Sequence, residues 1–340
     1  MFNQLSDNFE KTMSPLISVT PCFGKEWGIF SDLERLMMNP PEKIVINTQT
    51  DDEIRPSGFY QNYLQSQNIQ IPFSFTSEIA KPPLTPGQLL ENFPCQLIQD
   101  LQLLQRNNFQ QKYHDLIEGE KSQIWIHNEA EVSPMALINS EKGPVVIDCK
   151  ARISAFSILK GPLYIGPESV LDKTFISNSR VGRQCRIGGE ISDSLIGNFS
   201  NKHHEGFLGH SIVGDWVNLG ALTTTSDLKN NYGKIRLQYK DQSFDTNRIK
   251  FGSIIGDFVK TGIGTLLNTG TVLNLGATLF TGCPVQKYYP SFFWGGETPG
   301  KYELARFLKD QEIIMARRNS KPDDFLKNQI TFLHSHAQNQ

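Results

Sequence analysis

The sequence predicts a mainly β protein, wound over most of its length into a parallel β-helix, and three observations carry that prediction. Isoleucine or leucine returns every sixth residue at Ile147, Ile153, Leu159, Ile165 and Leu171, and again at Ile255, Leu267, Leu273 and Leu279, with Thr261 the one exception. Phe175, Val181 and Ile187, then Phe207, Val213 and Leu219, keep the same step between those blocks. Small residues tend to follow four positions after the aliphatic, as in Ile153/Ser157, Ile165/Ser169 and Val181/Cys185. A step of six fits neither the helical period of about 3.6 nor the strand period of about 2. A chain that buries one side chain per step of this kind is turning a flat-sided coil, whose rungs stack to complete a continuous core. A β-sandwich with accidental spacing is the rival reading, and the register kept across separate blocks counts against it.

Residues 1–120 lack the period and read as a small mixed α/β region. Ser31 and Glu34 have the spacing of a capping box opening a short helix. A strand is expected at Lys43–Asn47, a Pro- and Gln-rich loop at Gln65–Pro86, and a helix within Leu97–Ile117. The coil is placed at 121–296, beginning near Ile124, with an insertion at 229–248. Loops that leave a β-helix usually project over one face and build a cleft. The aromatic run Tyr288–Gly296 is expected to close the last rung. Residues 297–340 read as a helical cap: Leu304, Phe307, Leu308 and Met315 share one helical face, and Leu326, Ile330 and Leu333 that of a second helix opened around Ser320–Pro322. A free β-helix end exposes unpaired backbone, which such helices cover.

Composition narrows the function classes. With 33 basic and 35 acidic residues the net charge is −2, and no basic tract is present, so neither nucleic acid nor an anionic membrane is expected as a partner. Cys22, Cys95, Cys149, Cys185 and Cys283 are far apart and form no CxxC pair, which argues against a metal knuckle and a disulfide framework. Without a signal pattern in Met1–Phe30 or a membrane-length apolar run, a reducing cytoplasm is the simplest location.

Chemistry concentrates where the period loosens. His203, His204 and His210 crowd one stretch, and histidine is the side chain best able to take a proton near neutral pH. A surface cluster is the plain alternative. Metal ligation by His203 and His204 is disfavoured, because adjacent strand residues point to opposite faces. Asn218 occupies an outward slot with a donor and an acceptor, or is a simple ladder residue. Ala221 and the run Thr223–Ser226 keep the wall narrow enough for a thin ligand. Lys250, where the coil resumes, is placed to neutralise a phosphate or is merely solvated. Residues 1–120 contain no glycine-rich loop of the kind that cradles a nucleoside triphosphate.

The motifs Ser200-Asn-Lys-His-His-Glu-Gly-Phe-Leu-Gly209, Trp216-Val-Asn-Leu-Gly-Ala221, Asp227-Leu-Lys-Asn-Asn-Tyr232, Lys260–Thr271 and Pro290–Gly296 together resemble one family. It is the acetyltransferase half of the bifunctional N-acetylglucosamine-1-phosphate uridylyltransferase/glucosamine-1-phosphate N-acetyltransferases, and more closely a divergent bacterial branch of related sugar nucleotidyltransferases. The resemblance implies a left-handed β-helix, with residues 1–120 a small, degenerate relative of a nucleotidyltransferase domain. It places a general base at His204. Substrate contacts fall at His203, Phe207, Asn218 and Lys250, and an acetyl-coenzyme A slot along Ala221, Asp227, Gly262 and Thr265. Phe207 stands where the family has a tyrosine, Asp227 replaces an asparagine, and a phosphate-contacting lysine and a coenzyme-contacting serine fall on Ser192 and Ile263.

The function so implied is acetylation, from acetyl-coenzyme A, of the amine of a phosphorylated or nucleotide-linked amino sugar, at a cleft between neighbouring coils of a homotrimer, with no metal. Two rivals stand beside it. A sugar-1-phosphate nucleotidyltransferase would need Mg²⁺ and a nucleotide cradle in residues 1–120. A sugar-nucleotide-binding scaffold would bind without turnover.

Overall fold

The computed structural model describes residues 4–7, 44–48, 65, 67, 73–76, 86–104, 108–110, 116–239, 242–280, 286–295 and 300–337. The capping box at Ser31–Glu34, Cys22, Cys283 and most of the Pro/Gln-rich stretch lie outside them. Three short strands, Gln4–Asp7, Ile44–Thr48 and Phe73–Thr76, pair in parallel in that order. The middle one falls where the sequence places a strand. The first helix, α1, spans Pro86–Leu103. It begins earlier and ends sooner than the helix read within Leu97–Ile117, because Phe109–Gln110 and Ile117–Glu118 are already strands of the coil.

The rest is the expected parallel β-helix, of about 10 turns. Each turn lays down three short strands, on walls that we number in chain order. Wall 1 stacks Val145–Ile147, Leu163–Ile165, Arg180–Val181, Leu195–Ile196, Ile212–Val213 and Ser253–Ile255. Wall 2 stacks Arg152–Ile153, Val170–Leu171, Arg186–Ile187, Asn201–Lys202, Asn218–Leu219 and Lys260–Thr261. Wall 3 stacks Ile158–Lys160, Phe175–Ser177, Glu190–Ser192 and Phe207–Gly209. Inward side chains from all three walls form one continuous core, from Ile124 to Leu279.

The core corrects the period in two places. Phe175 and Phe207 face outward and are only half-buried, and their neighbours Ile176 and Leu208 fill the core. In both places the inward residue stands five, not six, positions before the next wall 1 aliphatic (Ile176 before Val181, Leu208 before Val213), and on the Phe175 rung the wall 2 to wall 3 corner also shifts register between Asp172 and Thr174. Thr261 does sit inward, with its hydroxyl satisfied by the Thr223 hydroxyl at 2.8 Å and the Gly220 N–H at 3.1 Å. A hydroxyl paired inside the coil removes most of the burial penalty.

Two of the coil's flanks are covered. Wall 1 carries an outward apolar stripe (Val146, Tyr164, Leu195, Ile212, Ile254, Val272), and α1 lays Leu90, Phe93, Leu97 and Leu101 upon it. The insertion folds into an antiparallel hairpin, Arg236–Tyr239 with Gln242–Asp245, whose Ile235 and Leu237 join the same cluster. It therefore packs over wall 1 beside α1, with Arg248 bonded to Glu91 and to the Gly87 carbonyl.

The corner between walls 1 and 2 carries Phe199, Trp216, Phe258 and Phe292, all at φ near +60° (59, 59, 62 and 59°). Left-handed backbone is unfavourable for aromatic residues, and here flanking rung hydrogen bonds and packing hold it. Helices α2 (Leu304–Ala316) and α3 (Asp324–His336) dock on this corner, burying Phe307, Ile330 and Leu333 against Phe258, Leu275 and Phe292. The strand Gly300–Lys301 adds antiparallel to Phe293–Trp294.

Candidate functional site

The histidine stretch begins at the corner between walls 2 and 3. His203 and His204 lie in the turn joining Asn201–Lys202 to Phe207–Gly209, both exposed, with ring centroids 5.0 Å apart. Lys202 is what fixes this turn. It stands in an inward wall 2 slot, paired in register with Ile187, where the repeat calls for an aliphatic. The residue is only 3% exposed, and its ammonium donates to the Gly188 carbonyl at 3.1 Å and the His204 carbonyl at 2.6 Å. Burial pushes the amine down to about 8, against the opposing pull of the Glu205 carboxylate.

The next corners stack beneath. The Glu205 carbonyl accepts from the Leu222 N–H at 2.9 Å, and the Ala221 carbonyl from the Gly264 N–H at 2.8 Å. His203 and His204, Ala221, and Gly262 with Thr265 therefore occupy one corner on three successive rungs, each about 4.8 Å from the next. Thr265 is buried with its hydroxyl on the Gly262 carbonyl, so it shapes the groove more than it presents a polar group to it. Ile263 is 62% exposed on the same corner.

Gly188 lies above this turn, and a Cβ there would stand 2.0 Å from the His203 carbonyl oxygen. Only glycine lets the rung approach so closely. Gly188→Ala is expected to displace the His203–His204 turn and cost about 1–3 kcal/mol. Thermal melting of the variant checks this; an unchanged Tm refutes the contact.

The remaining nominated residues fall elsewhere. Phe207 projects from wall 3 and its ring covers Gly209, leaving no room for a Cβ, with the Asp227 carboxylate on the other side. Asp227 belongs to the corner between walls 3 and 1, and its carboxylate holds His210 Nδ1 at 2.7 Å. His210 Nε2 is 3.7 Å from Asp193 on the preceding rung, so the buried imidazole is bracketed by two carboxylates. Lys250 is exposed beside this corner, where it bridges to Leu228 at the neck of the hairpin. Ser192 is the last wall 3 residue before the same corner. Asn218 is exposed on wall 2, accepting from the Asn201 amide at 3.2 Å. One chain thus divides the nominated residues among the wall 2–3 corner, the wall 3–1 corner and wall 2.

Sequence reasoning missed the Lys202 anchor and the carboxylate bracket around His210. The first had a signal: the step of six from Ile196 lands on Lys202, the one charged residue in an aliphatic slot. The second had none, since Asp193 and Asp227 meet His210 only through rung stacking. Among the described residues no group of three His, Cys, Asp or Glu is gathered as a metal site, and no helix is long and apolar enough to cross a membrane.

Comparison with known proteins supports the resemblance read from the motifs. The chain is 34% identical over 162 residues to the bifunctional protein GlmU of Methanococcus vannielii, covering 47% of this chain and 34% of that protein. It is 26% identical over 166 residues to a bifunctional sugar-1-phosphate nucleotidylyltransferase/acetyltransferase of Sulfurisphaera tokodaii, covering 45% of this chain and 39% of that one. The chain therefore spans well under half the length of the curated relatives it matches. No protein-family model matches it. Among solved structures, a mutant of perosamine N-acetyltransferase from Caulobacter crescentus in complex with CoA and GDP-perosamine aligns at 16% identity over 54% of this chain and 87% of that one. Its TM-score of 0.19 gives that superposition no weight.

Proposed function

We propose that the protein transfers an acetyl group from acetyl-coenzyme A to the amine of a phosphorylated or nucleotide-linked sugar, with His204 as general base. The observation that carries this reading is the shared corner. An exposed histidine, held through its own carbonyl by Lys202, heads a groove kept narrow by Ala221 and Gly262 on the following rungs. A thin, extended thioester arm fits such a groove. The relatives' names, which include acetyltransferase, agree with it.

In the reaction, the amine attacks the thioester carbonyl carbon and the new C–N bond forms as the proton passes to the His204 imidazole. Collapse of the tetrahedral adduct breaks the C–S bond, and the thiolate leaves with that proton returned to it. Asn218 orients the sugar, and backbone amides along the corner stabilise the oxyanion. Asn218 and Phe207 face outward from the two different walls that flank the histidine corner, and a site using all three would be completed between copies. Leu222 (55% exposed), Ile263 and Leu266 (66%) line that corner and the adjoining wall, where a second copy would cover them. We propose three copies, the number the resemblance implies.

Thiol release from acetyl-coenzyme A across a panel of amino-sugar phosphates and nucleotide-linked amino sugars tests the chemistry. Sedimentation tests the assembly, with a mass three times 38.4 kDa expected. Absence of thiol release with every acceptor overturns the activity, and a monomer overturns the shared site.

A further inference from the structure

Where the end of α2 crosses wall 2 the surface opens into a cavity of about 450 Å³, within the range of small-ligand sites. Its floor is the outward ladder of wall 2, in which Arg186, Asn201, Asn218 and Lys260 follow one another rung by rung. Its roof is the last turn of α2 with Arg317 and Arg318, and Phe199 stacked on Trp216 closes one side at 4.2 Å.

The hydrogen bonds across the floor have a fixed polarity. Arg318 donates to Asn201 Oδ1 at 2.8 Å, and a guanidinium can only donate. Asn201 must therefore present its NH₂ to the next rung, where it donates to Asn218 Oδ1 at 3.2 Å. The Asn218 NH₂ is then left as a donor facing no acceptor among the described residues. Lys260 adds an ammonium, half-buried on the same ladder. Among the described residues neither Arg317 nor Arg318 has a carboxylate partner. Arg186 is lowered by burial and then by the like charges of Arg318 and Arg152, which crowd it. The one carboxylate in the cavity, Asp310, accepts from the Tyr302 hydroxyl. Lys260 also lies over the Tyr302 ring and feels the Asp310 carboxylate, so the donors in this cleft with no acceptor among the described residues are the Asn218 amide and the Arg317 guanidinium, beside the cationic Arg318 and Lys260.

We propose that this cleft binds the phosphate or pyrophosphate group of a ligand, through Arg317, Arg318, Lys260 and the Asn218 amide. The identity of that ligand rests on the acetyl-transfer reading, and its anion is assigned here instead of to Lys250, which stands exposed at the corner between walls 3 and 1. Two sources share the chemistry: the phosphate of the acceptor sugar and the phosphates of coenzyme A. Guanidinium groups bind phosphate oxygens bidentately, which suits two arginines side by side.

Isothermal titration of the full chain with inorganic pyrophosphate, glucosamine 1-phosphate, uridine diphosphate and coenzyme A tests the proposal without needing turnover. At least one probe is expected to bind, more weakly as salt rises, and R317Q/R318Q to weaken it by about tenfold or more. K250Q is expected to lose less than R317Q/R318Q, and R317K/R318K to recover part of the affinity. Circular dichroism melting establishes that the variants are folded, and Lys260→Gln supplies an independent loss should the double variant not fold. An arginine-dependent signal for coenzyme A alone assigns the coenzyme, and one for the sugar phosphate or nucleotide assigns the acceptor. Absence of binding by every probe, a loss below tenfold in R317Q/R318Q with Lys260→Gln also silent, or an equal loss in K250Q overturns the site. Failure of acetyl transfer with intact arginine-dependent binding sinks the reaction and leaves the site standing.

Discussion

His204→Ala is expected to lower kcat for acetyl transfer by about 10²–10⁴-fold, the usual contribution of a positioned general base, with the KM for acetyl-coenzyme A little changed. Three histidines fall within one stretch, His203 and His204 at the corner between walls 2 and 3 and His210 past the end of wall 3, and their surroundings assign them different work. His204 is exposed and its ring has no polar partner among the described residues, so its nitrogens are available to a substrate amine. His210 is buried with one nitrogen on Asp227 at 2.7 Å and the other facing Asp193 at 3.7 Å. Removing it leaves two carboxylates in a closed corner, so His210→Ala is expected to lower Tm with a smaller effect on kcat in the folded protein. Steady-state kinetics with melting curves for both variants separates them. If His210→Ala abolishes turnover at unchanged Tm while His204→Ala retains it, the base is the bracketed histidine and the assignment to His204 fails.

How far the sequence carried is visible in particular side chains. The wall was legible because burial in a coil depends on one variable, the step between inward residues, and Ile147, Ile153, Leu159 and Ile165 all lie in the core. It lost register at Phe175 and Phe207 because corner length changes from rung to rung, and a large aromatic outward beside an aliphatic inward is indistinguishable by hydropathy alone. The cover on wall 1 was less legible: the apolar stripe beginning at Val146 and Tyr164 alternates with core residues, so the strands read as continuous apolar runs without saying what lies outside them. At the candidate site, the motifs picked out residue types that the fold then distributed. His204, Ala221, Gly262 and Thr265 gather because they sit at equivalent corners, while Asn218 and Asp227 were close only in the resemblance. The Arg317–Arg318 cleft had no local signal, since it exists only because α2 folds back across more than 100 residues of chain to meet Asn201 (|i−j| = 117).

Lys202 leads to the second large effect, one of stability against pH. A lysine in an aliphatic slot carries its desolvation cost while it is charged, and its amine is pushed from the usual 10.5 down to about 8. Below pH 8 the amine is protonated in both folded and unfolded chains, and the cost is present in full. Between about 8 and 10.5 the folded chain has released the proton and the unfolded chain still holds it, so the unfolded state binds more protons and stability rises with pH. The shift corresponds to at most about 3 kcal/mol gained across that window. Lys202→Met removes the titrating group, so the wild type is expected to gain on the variant by that amount between pH 8 and 10.5. Denaturant unfolding across that range measures it, and taking the difference between the two proteins cancels the other lysines. Parallel curves would falsify the buried charge. The same substitution removes the donor from the Gly188 and His204 carbonyls, and its kinetic consequence distinguishes an anchor from a filler. If Lys202 serves only to fill its slot, methionine of similar length keeps kcat. If it fixes the His204 turn, kcat falls with little change in the KM for coenzyme, and Lys202→Arg, which restores a donor in a larger side chain, recovers part of it. The aliphatic period is therefore broken at 202 by the residue that sets where the histidines stand, and the stability given up at neutral pH is the physical counterpart of that placement.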